Sequence, residues 1–173
     1  MIARKSKEAS ENPTPVKLLS LSQARRWAAA ARRRGERVVA TNGCFDLLHY
    51  GHVSYLQRAR QLGDQLIVGL NADASIRQLK GPDRPLMPAR QRAAVLAALA
   101  CVDAIVIFRE KRATRFLAAV RPAIYVKGGD YRVTTLPPEE LAVLGAATVK
   151  ILPFVRGFST TALVEKIRRA GCD

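Results

Sequence analysis

Five short β-rich runs separated by helical stretches constrain this chain more tightly than any other feature of its sequence. The runs are Val38 to Thr41, Gln65 to Asn71, Ala104 to Phe108, Ala123 to Lys127 and Thr148 to Leu152. Between them, helix-period patterns occupy Val53 to Leu62, Pro88 to Ala100, Ala113 to Val120 and Pro137 to Leu144, with a last one at Thr160 to Ala170. Segments such as LIVGL and AIVIF are apolar at successive positions, as strands covered on both faces are. Right-handed helical crossovers between parallel neighbours provide that cover. The expected fold is α/β, a Rossmann-like doubly wound sheet of five parallel strands. Ligands in such sheets bind beyond the carboxyl ends of the strands, at the topological switch point, so functional residues should follow strands.

A chain of 173 residues with 49% apolar side chains suffices for one domain with its own core. Residues 1–17 carry Pro13 and Pro15 and no apolar period, and read as a flexible basic tail; residues 18–173 read as a single domain. An amphipathic helix opens it: Ser20 and Gln23 form a capping-box pattern, and Leu21, Ala24, Trp27, Ala28 and Ala31 mark one face up to Gly35. No apolar run approaches the roughly 18 residues of a membrane span, and the N-terminus lacks the apolar region of a secretory signal, so the cytosol is the expected location. Cys44, Cys101 and Cys172 are too few for a disulfide framework or a complete zinc site. The net charge of +15 suits a polyanionic partner: nucleic acid, an anionic membrane surface or a phosphorylated substrate. Charge alone does not choose among them.

The segment after the first strand is the most unusual: Thr41-Asn42-Gly43-Cys44-Phe45-Asp46-Leu47-Leu48-His49-Tyr50-Gly51-His52. Both histidines of the chain fall here, three residues apart around a glycine, where a strand gives way to a helix. That spacing sets two imidazoles on one side of a helix start. Gly51 lets a ligand approach the backbone, and the free N–H groups of the helix N-terminus favour an anion, for which phosphate is the natural guest. Metal binding by the two histidines with Asp46 is the competing chemistry, and lacks identifiable second-layer acceptors. Cys44 as a nucleophile is weaker still, because a thiol near a histidine is only part of the arrangement needed.

GCFDLLHYGH resembles the signature of the HxGH nucleotidyltransferase superfamily, which includes cytidylyltransferases and adenylyltransferases. Asn71 to Pro88 with Gln91-Arg92 resembles the substrate loop and following helix start of these enzymes; Lys127-Gly128-Gly129-Asp130-Tyr131 and Gly157-Phe158-Ser159-Thr160-Thr161 resemble two later motifs in the expected order. TNGCFDLLHxGHVSYL, LKGPDRP, KGGDY and the S-T-T ending together look most like adenylyltransferase domains of the ADP-heptose synthase type. Cytidylyltransferases typically carry R-T-E-G-I-S-T-T, whereas this chain has Phe154-Val155-Arg156-Gly157-Phe158-Ser159-Thr160-Thr161, with its arginine at a different offset, which counts against CTP.

The resemblance implies transfer of AMP from ATP to a sugar 1-phosphate, a heptose 1-phosphate, with release of pyrophosphate and with Mg2+ carried mainly by phosphate oxygens. By carry-over, His49, His52 and Lys80 are the catalytic candidates. Gly43, Cys44, Phe45, Gly51, Arg92, Lys127, Gly129, Asp130, Ser159, Thr160 and Thr161 would bind nucleotide, and Asn42, Asp46 and Arg84 the acceptor. No metal ligand is expected. Relatives suggest a homodimer, and because only a tail and one helix precede the domain, a separate sugar kinase is expected to supply the acceptor. Two rival readings are a CTP-dependent enzyme acting on glycerol or another polyol phosphate, and a basic nucleic-acid-binding module built on residues 1–37. The second leaves H-x-G-H unexplained.

Overall fold

The computed structural model describes residues 17–129, 135–153, 155 and 157–170. The helices are α1 (Leu21–Arg33), α2 (Tyr50–Arg60), α3 (Asp73–Lys80), α4 (Ala89–Ala97), α5 (Thr114–Val120), α6 (Pro138–Leu144) and α7 (Thr160–Ala170). The strands are β1 (Val38–Gly43), β2 (Gln65–Asn71), β3 (Ala104–Phe108), β4 (Ile124–Gly128) and β5 (Thr148–Leu152). They form one parallel sheet in the order β3-β2-β1-β4-β5. The alternation read from the sequence thus gives the five-stranded doubly wound sheet it predicts. From β1 the chain winds outward first through β2 and β3, then returns to place β4 on the other side, so the strand order reverses between β1 and β4.

Burial on both faces explains the apolar strands. Val38, Ala40 and Ile67 face one core cluster with α1 and α5, while Val39, Leu66 and Val68 face another with α2 and α4. The capping box forms as the sequence predicts: the Ser20 hydroxyl accepts from the Gln23 N–H, and the Gln23 side chain accepts from the Ser20 N–H. Ala24, Ala28 and Ala31 are fully buried, and Trp27 is partly buried against the same cluster. The helix stays close because these side chains are small, and Arg32 reaches past it to donate to the Val120 carbonyl oxygen at 2.6 Å.

The sequence reading needs two corrections. Lys17 is attached to the sheet edge, since its carbonyl accepts from Ile105 N–H at 2.8 Å and its ammonium donates to the Leu99 carbonyl oxygen at 3.0 Å. The rest of the expected tail lies outside the described residues. Residues 73–80, read as part of a loop, form α3, which buries Ser75 and Ile76 and stops at Gly81, whose φ of 95° no helix accommodates. Eight residues carry too little apolar period to announce a helix against the Gly/Pro-rich stretch that follows. Among the described residues no helix is long and apolar enough to cross a membrane.

Candidate functional site

A cavity of about 380 Å³ opens at the carboxyl ends of β1 and β4, where the strand order reverses. The chain leaves β1 through Gly43 and turns sharply at Phe45, which has a left-handed φ of 43° that non-glycine residues rarely adopt. The buried Phe45 ring packs in the core and tilts against His52 at 5.4 Å, which holds the turn in place. His49 stands at the N-cap of α2 without a side-chain capping bond, so the first turn of α2 keeps open N–H groups toward the cavity. Gly51 is required here for local reasons: a Cβ would lie 3.0 Å from Phe158 Cβ and 3.1 Å from the His49 ring.

The two imidazoles stack with centroids 3.9 Å apart and an interplanar angle of 26°. Their Nδ1 atoms are buried and have no hydrogen-bond partner among the described residues. Burial pushes the His52 pKa down to about 4, with the neighbouring His49 and Lys80 adding to the effect and a hydrogen bond to Leu47 opposing it. Burial also lowers His49. Both rings are therefore neutral at pH 7, and an entering polyanion would favour the protonated form of each. A second helix N-terminus, that of α7, faces the same space. Ser159 Oγ accepts from Ala162 N–H at 3.1 Å, and Ser159, Thr160 and Thr161 line the wall.

Two lysines flank the histidines. Lys80 is the last residue of α3 and not a loop residue as the sequence suggests, and its exposed ammonium is near enough to depress the pKa of both His52 and Cys44. Lys127, at the end of β4, donates to Asn42 Oδ1 at 2.8 Å and lies 3.5 Å from Glu140 Oε2. The Tyr125 hydroxyl, 2.6 Å from Asn42 Oδ1 and 2.8 Å from Glu140 Oε2, closes this buried network.

Of the residues singled out from sequence, Asn42, Gly43, Cys44, Phe45, Asp46, His49, Gly51, His52, Lys80, Lys127, Ser159, Thr160 and Thr161 line the cavity. Three others do not. Arg92 is 1% exposed and commits its guanidinium to the carbonyl oxygens of Met87, Cys44 and Asn71 and to Asp73. Arg84 pairs with Asp46 at 3.0 Å, and Asp46 also accepts from the N–H groups of Leu86 and Met87. Burial alone would raise the Asp46 pKa, but those two N–H groups and Arg84 together outweigh it and hold the carboxyl below its ordinary value. The pair is thereby turned inward, pinning residues 84–87 against the β1 turn. Gly129 is buried, with its N–H donated to the Leu152 carbonyl oxygen. Asp130 lies outside the described residues.

The sequence reading missed Tyr55, Val155 and Phe158 at the cavity and the Tyr125–Glu140 support behind it. Tyr55 falls inside the TNGCFDLLHxGHVSYL motif but received no role from it, yet its hydroxyl bonds Thr41 at 2.7 Å and the Val126 carbonyl oxygen at 3.1 Å, joining α2 to β1 and β4. Burial raises the Cys44 thiol pKa, which keeps it protonated and unreactive. Among the described residues no group of three His, Cys, Asp or Glu side chains is placed to hold a metal ion. Asp46, the carboxylate lining the cavity, already has three donors, so these residues do not form a protein cage for a cation.

Residues 40–165 match the cytidylyltransferase-like family model. The chain is 53% identical over 136 residues to the bifunctional protein HldE of Syntrophotalea carbinolica, covering 79% of this chain and 28% of that protein. It is 49% identical over 151 residues to the bifunctional protein HldE of Koribacter versatilis, covering 87% and 31%. It thus spans less than a third of the length of these curated relatives. The crystal structure of the lipopolysaccharide core biosynthesis protein from Thermoplasma volcanium superposes with a TM-score of 0.58 at 30% identity, covering 70% of this chain and 98% of that one. Pantoate-beta-alanine ligase from Francisella tularensis, at 13% identity and a TM-score of 0.53 over 80% of this chain and 67% of that one, shares the fold.

Proposed function

The chain belongs to the cytidylyltransferase-like family, and from that premise we propose that it transfers AMP from ATP to a sugar 1-phosphate, a heptose 1-phosphate, releasing pyrophosphate. The observation that carries this reading is the stacked pair His49 and His52, whose Nδ1 atoms have no partner among the described residues, between two helix N-termini and two lysines. Each of these features favours phosphate oxygens, and together they provide for a triphosphate and a second phosphate side by side. The near-half identity to the HldE proteins, and the lipopolysaccharide role named for the Thermoplasma structure, support a sugar phosphate as acceptor.

A phosphate monoester is already a nucleophile near neutral pH, so the site needs no covalent intermediate. An oxygen of the acceptor phosphate forms a bond to the α-phosphorus of ATP while the bond from that phosphorus to the bridging β-phosphate oxygen breaks, and the electron pair leaves with pyrophosphate. The chain's task is to align these groups and to meet the charge that builds on the α-phosphate oxygens. In this reading His52 and His49 donate to those oxygens, while the N-terminal amides and hydroxyls of α7 hold the departing phosphates. Lys80 and Lys127 draw the acceptor phosphate toward the α-phosphorus. Magnesium enters with the nucleotide as part of the substrate, held by phosphate oxygens and water.

Incubation with ATP or CTP, magnesium, and a panel of sugar 1-phosphates and glycerol 3-phosphate tests the proposal, with pyrophosphate measured and products identified by mass. An ADP-sugar formed only from ATP is the expected result. A CDP-linked product formed in preference would replace the substrate assignment, and no pyrophosphate with any pair would overturn the activity.

A further inference from the structure

The register between β1 and β4 runs to Thr41↔Val126, whereas β1 stays paired with β2 to Gly43↔Leu70 and β4 with β5 to Gly128↔Leu152. The two central strands thus stop pairing there. The next residues on each, Asn42 and Gly43 on one and Lys127 and Gly128 on the other, line the cavity, which therefore opens directly beyond the Thr41–Val126 pair.

Tyr55 of α2 sits on that pair. Its hydroxyl donates to the Val126 carbonyl oxygen at 3.1 Å and lies 2.7 Å from Thr41 Oγ1. A phenol has one proton and a carbonyl only accepts, so the Thr41 hydroxyl donates in turn to the Tyr55 oxygen. Burial raises the Tyr55 pKa, which keeps that proton in place although the Thr41 bond acts the other way. The hydroxyl is committed to the strands and has no proton left for a ligand.

His52 stands one turn earlier on the same helix, at the i, i+3 spacing that puts two side chains on one face. Leu56 and Ala59 are fully buried between α2 and the sheet, but apolar contact is non-directional and resists a slide along the strands only weakly. A hydrogen bond is directional. The two bonds of Tyr55 tie the helix to β1 and β4 at the last level where those strands are still paired.

Resting on the nucleotidyl-transfer reading above, we infer that Tyr55 is a positioning residue for the reaction: its hydroxyl sets where His52 stands relative to the ends of β1 and β4. The nucleotide phosphates meet helix N-termini and lysines wherever His52 stands, so ground-state binding depends little on Tyr55. The α-phosphate oxygens need the imidazole in place as charge builds, so turnover depends on it.

Tyr55→Phe removes the hydroxyl and keeps the ring. It is expected to lower kcat by about tenfold to 10²-fold, the scale for a small misplacement of reacting groups, with KM for ATP changed by less than about twofold. In a His52→Asn background the same substitution should cost less than about twofold more, because the group it positions is gone. Thr41→Val breaks the relay from its other end and should act in the same direction, and Thr41→Ser, which restores the hydroxyl, should recover most of that loss. Without nucleotide, the ring-proton NMR resonances of His52 should move in Tyr55→Phe and Thr41→Val and stay near wild type in Thr41→Ser, each measured at a temperature where the variant is folded. A Tyr55→Phe enzyme with wild-type kcat, a loss fully additive with His52→Asn, or unmoved His52 resonances overturns the inference. Moved resonances in a protein that transfers no nucleotide uphold the hold of Tyr55 on His52 and sink the nucleotidyl-transfer reading instead.

Discussion

Lys127 Nζ and Glu140 Oε2 lie 3.5 Å apart behind the cavity, with side chains only 12% and 3% exposed. Burial pushes the lysine pKa down, Glu140 pulls it back up, and Arg112 lowers it again. A cation is thus held at the carboxyl end of β4 by a carboxylate that itself stands away from the cavity. Because Asn42 Oδ1 also accepts from Lys127 and lies beside the Tyr125 hydroxyl, the network fixes where the ammonium points.

Glu140→Gln is therefore expected to leave Lys127 in place while removing the charge that keeps it protonated. Its pKa then drops further, and the alkaline limb of the kcat/KM profile should move to lower pH, with the acid limb unchanged. Gln retains an acceptor for Ala113 N–H, which limits the structural cost. A pH profile identical to wild type would show that Glu140 only packs.

His52→Asn should lower kcat by about 10² to 10³, the usual cost of losing one preorganised donor to a developing oxyanion. His49→Asn is expected to act in the same direction, since the rings stack and in the proposed reading meet the same anion. In that reading KM for ATP should change less than kcat for His52, because the proposed donation strengthens as charge builds. Steady-state kinetics of both variants checks this, and a His52→Asn enzyme with near-normal kcat contradicts the role.

The same histidine ties stability to pH. Its folded pKa of about 4 lies below the unfolded value of 6.5, so between these pH values the unfolded chain binds a proton that the native site refuses. Stability from His52 is full above pH 6.5 and declines as pH falls toward 4, by about 3 kcal/mol in all. Urea unfolding of wild type and His52→Asn over that range should show a shallower decline in the variant. ATP with magnesium should stabilise wild type and raise the histidine pKa, visible in the ring-proton titration by NMR.

The sheet was legible because its information is local: apolar runs of strand length and turns between them give order, and covered faces give parallel pairing. His49, Gly51 and His52 were legible as a site for a related reason, being adjacent in sequence where a strand meets a helix. The Tyr125–Glu140 support was not, since Glu140 comes from α6 and reads as an ordinary first-turn acid of a helix. α3 was lost for lack of length. For the arginines, the family resemblance implied nucleotide for Arg92 and acceptor for Arg84, but whether a guanidinium faces a ligand or backbone carbonyls depends on tertiary packing. Arg84 and Arg92 went to the protein.

Arg92 gives the clearest separation of these two fates. Its side chain is fully buried, and it donates at 2.9 Å to Met87, 2.6 Å to Cys44, 2.9 Å to Asn71 and 2.6 Å to Asp73. These partners belong to the turn after β1, the end of β2, the start of α3 and the approach to α4, so one side chain joins the segments that carry Phe45 and Lys80. Arg92→Met keeps the volume but strands three carbonyl oxygens and one carboxylate. The expected loss is about 3 kcal/mol, the scale for breaking a buried pair by removing one partner. Arg92→Lys reaches only some of these acceptors and should recover part of it. A direct phosphate contact would instead appear as a large rise in KM for ATP with stability intact. Denaturant midpoints and ATP kinetics on the two variants, measured at a temperature where both are folded, separate the outcomes: lost stability with KM nearly unchanged supports the internal strut, and the reverse pattern returns Arg92 to the nucleotide.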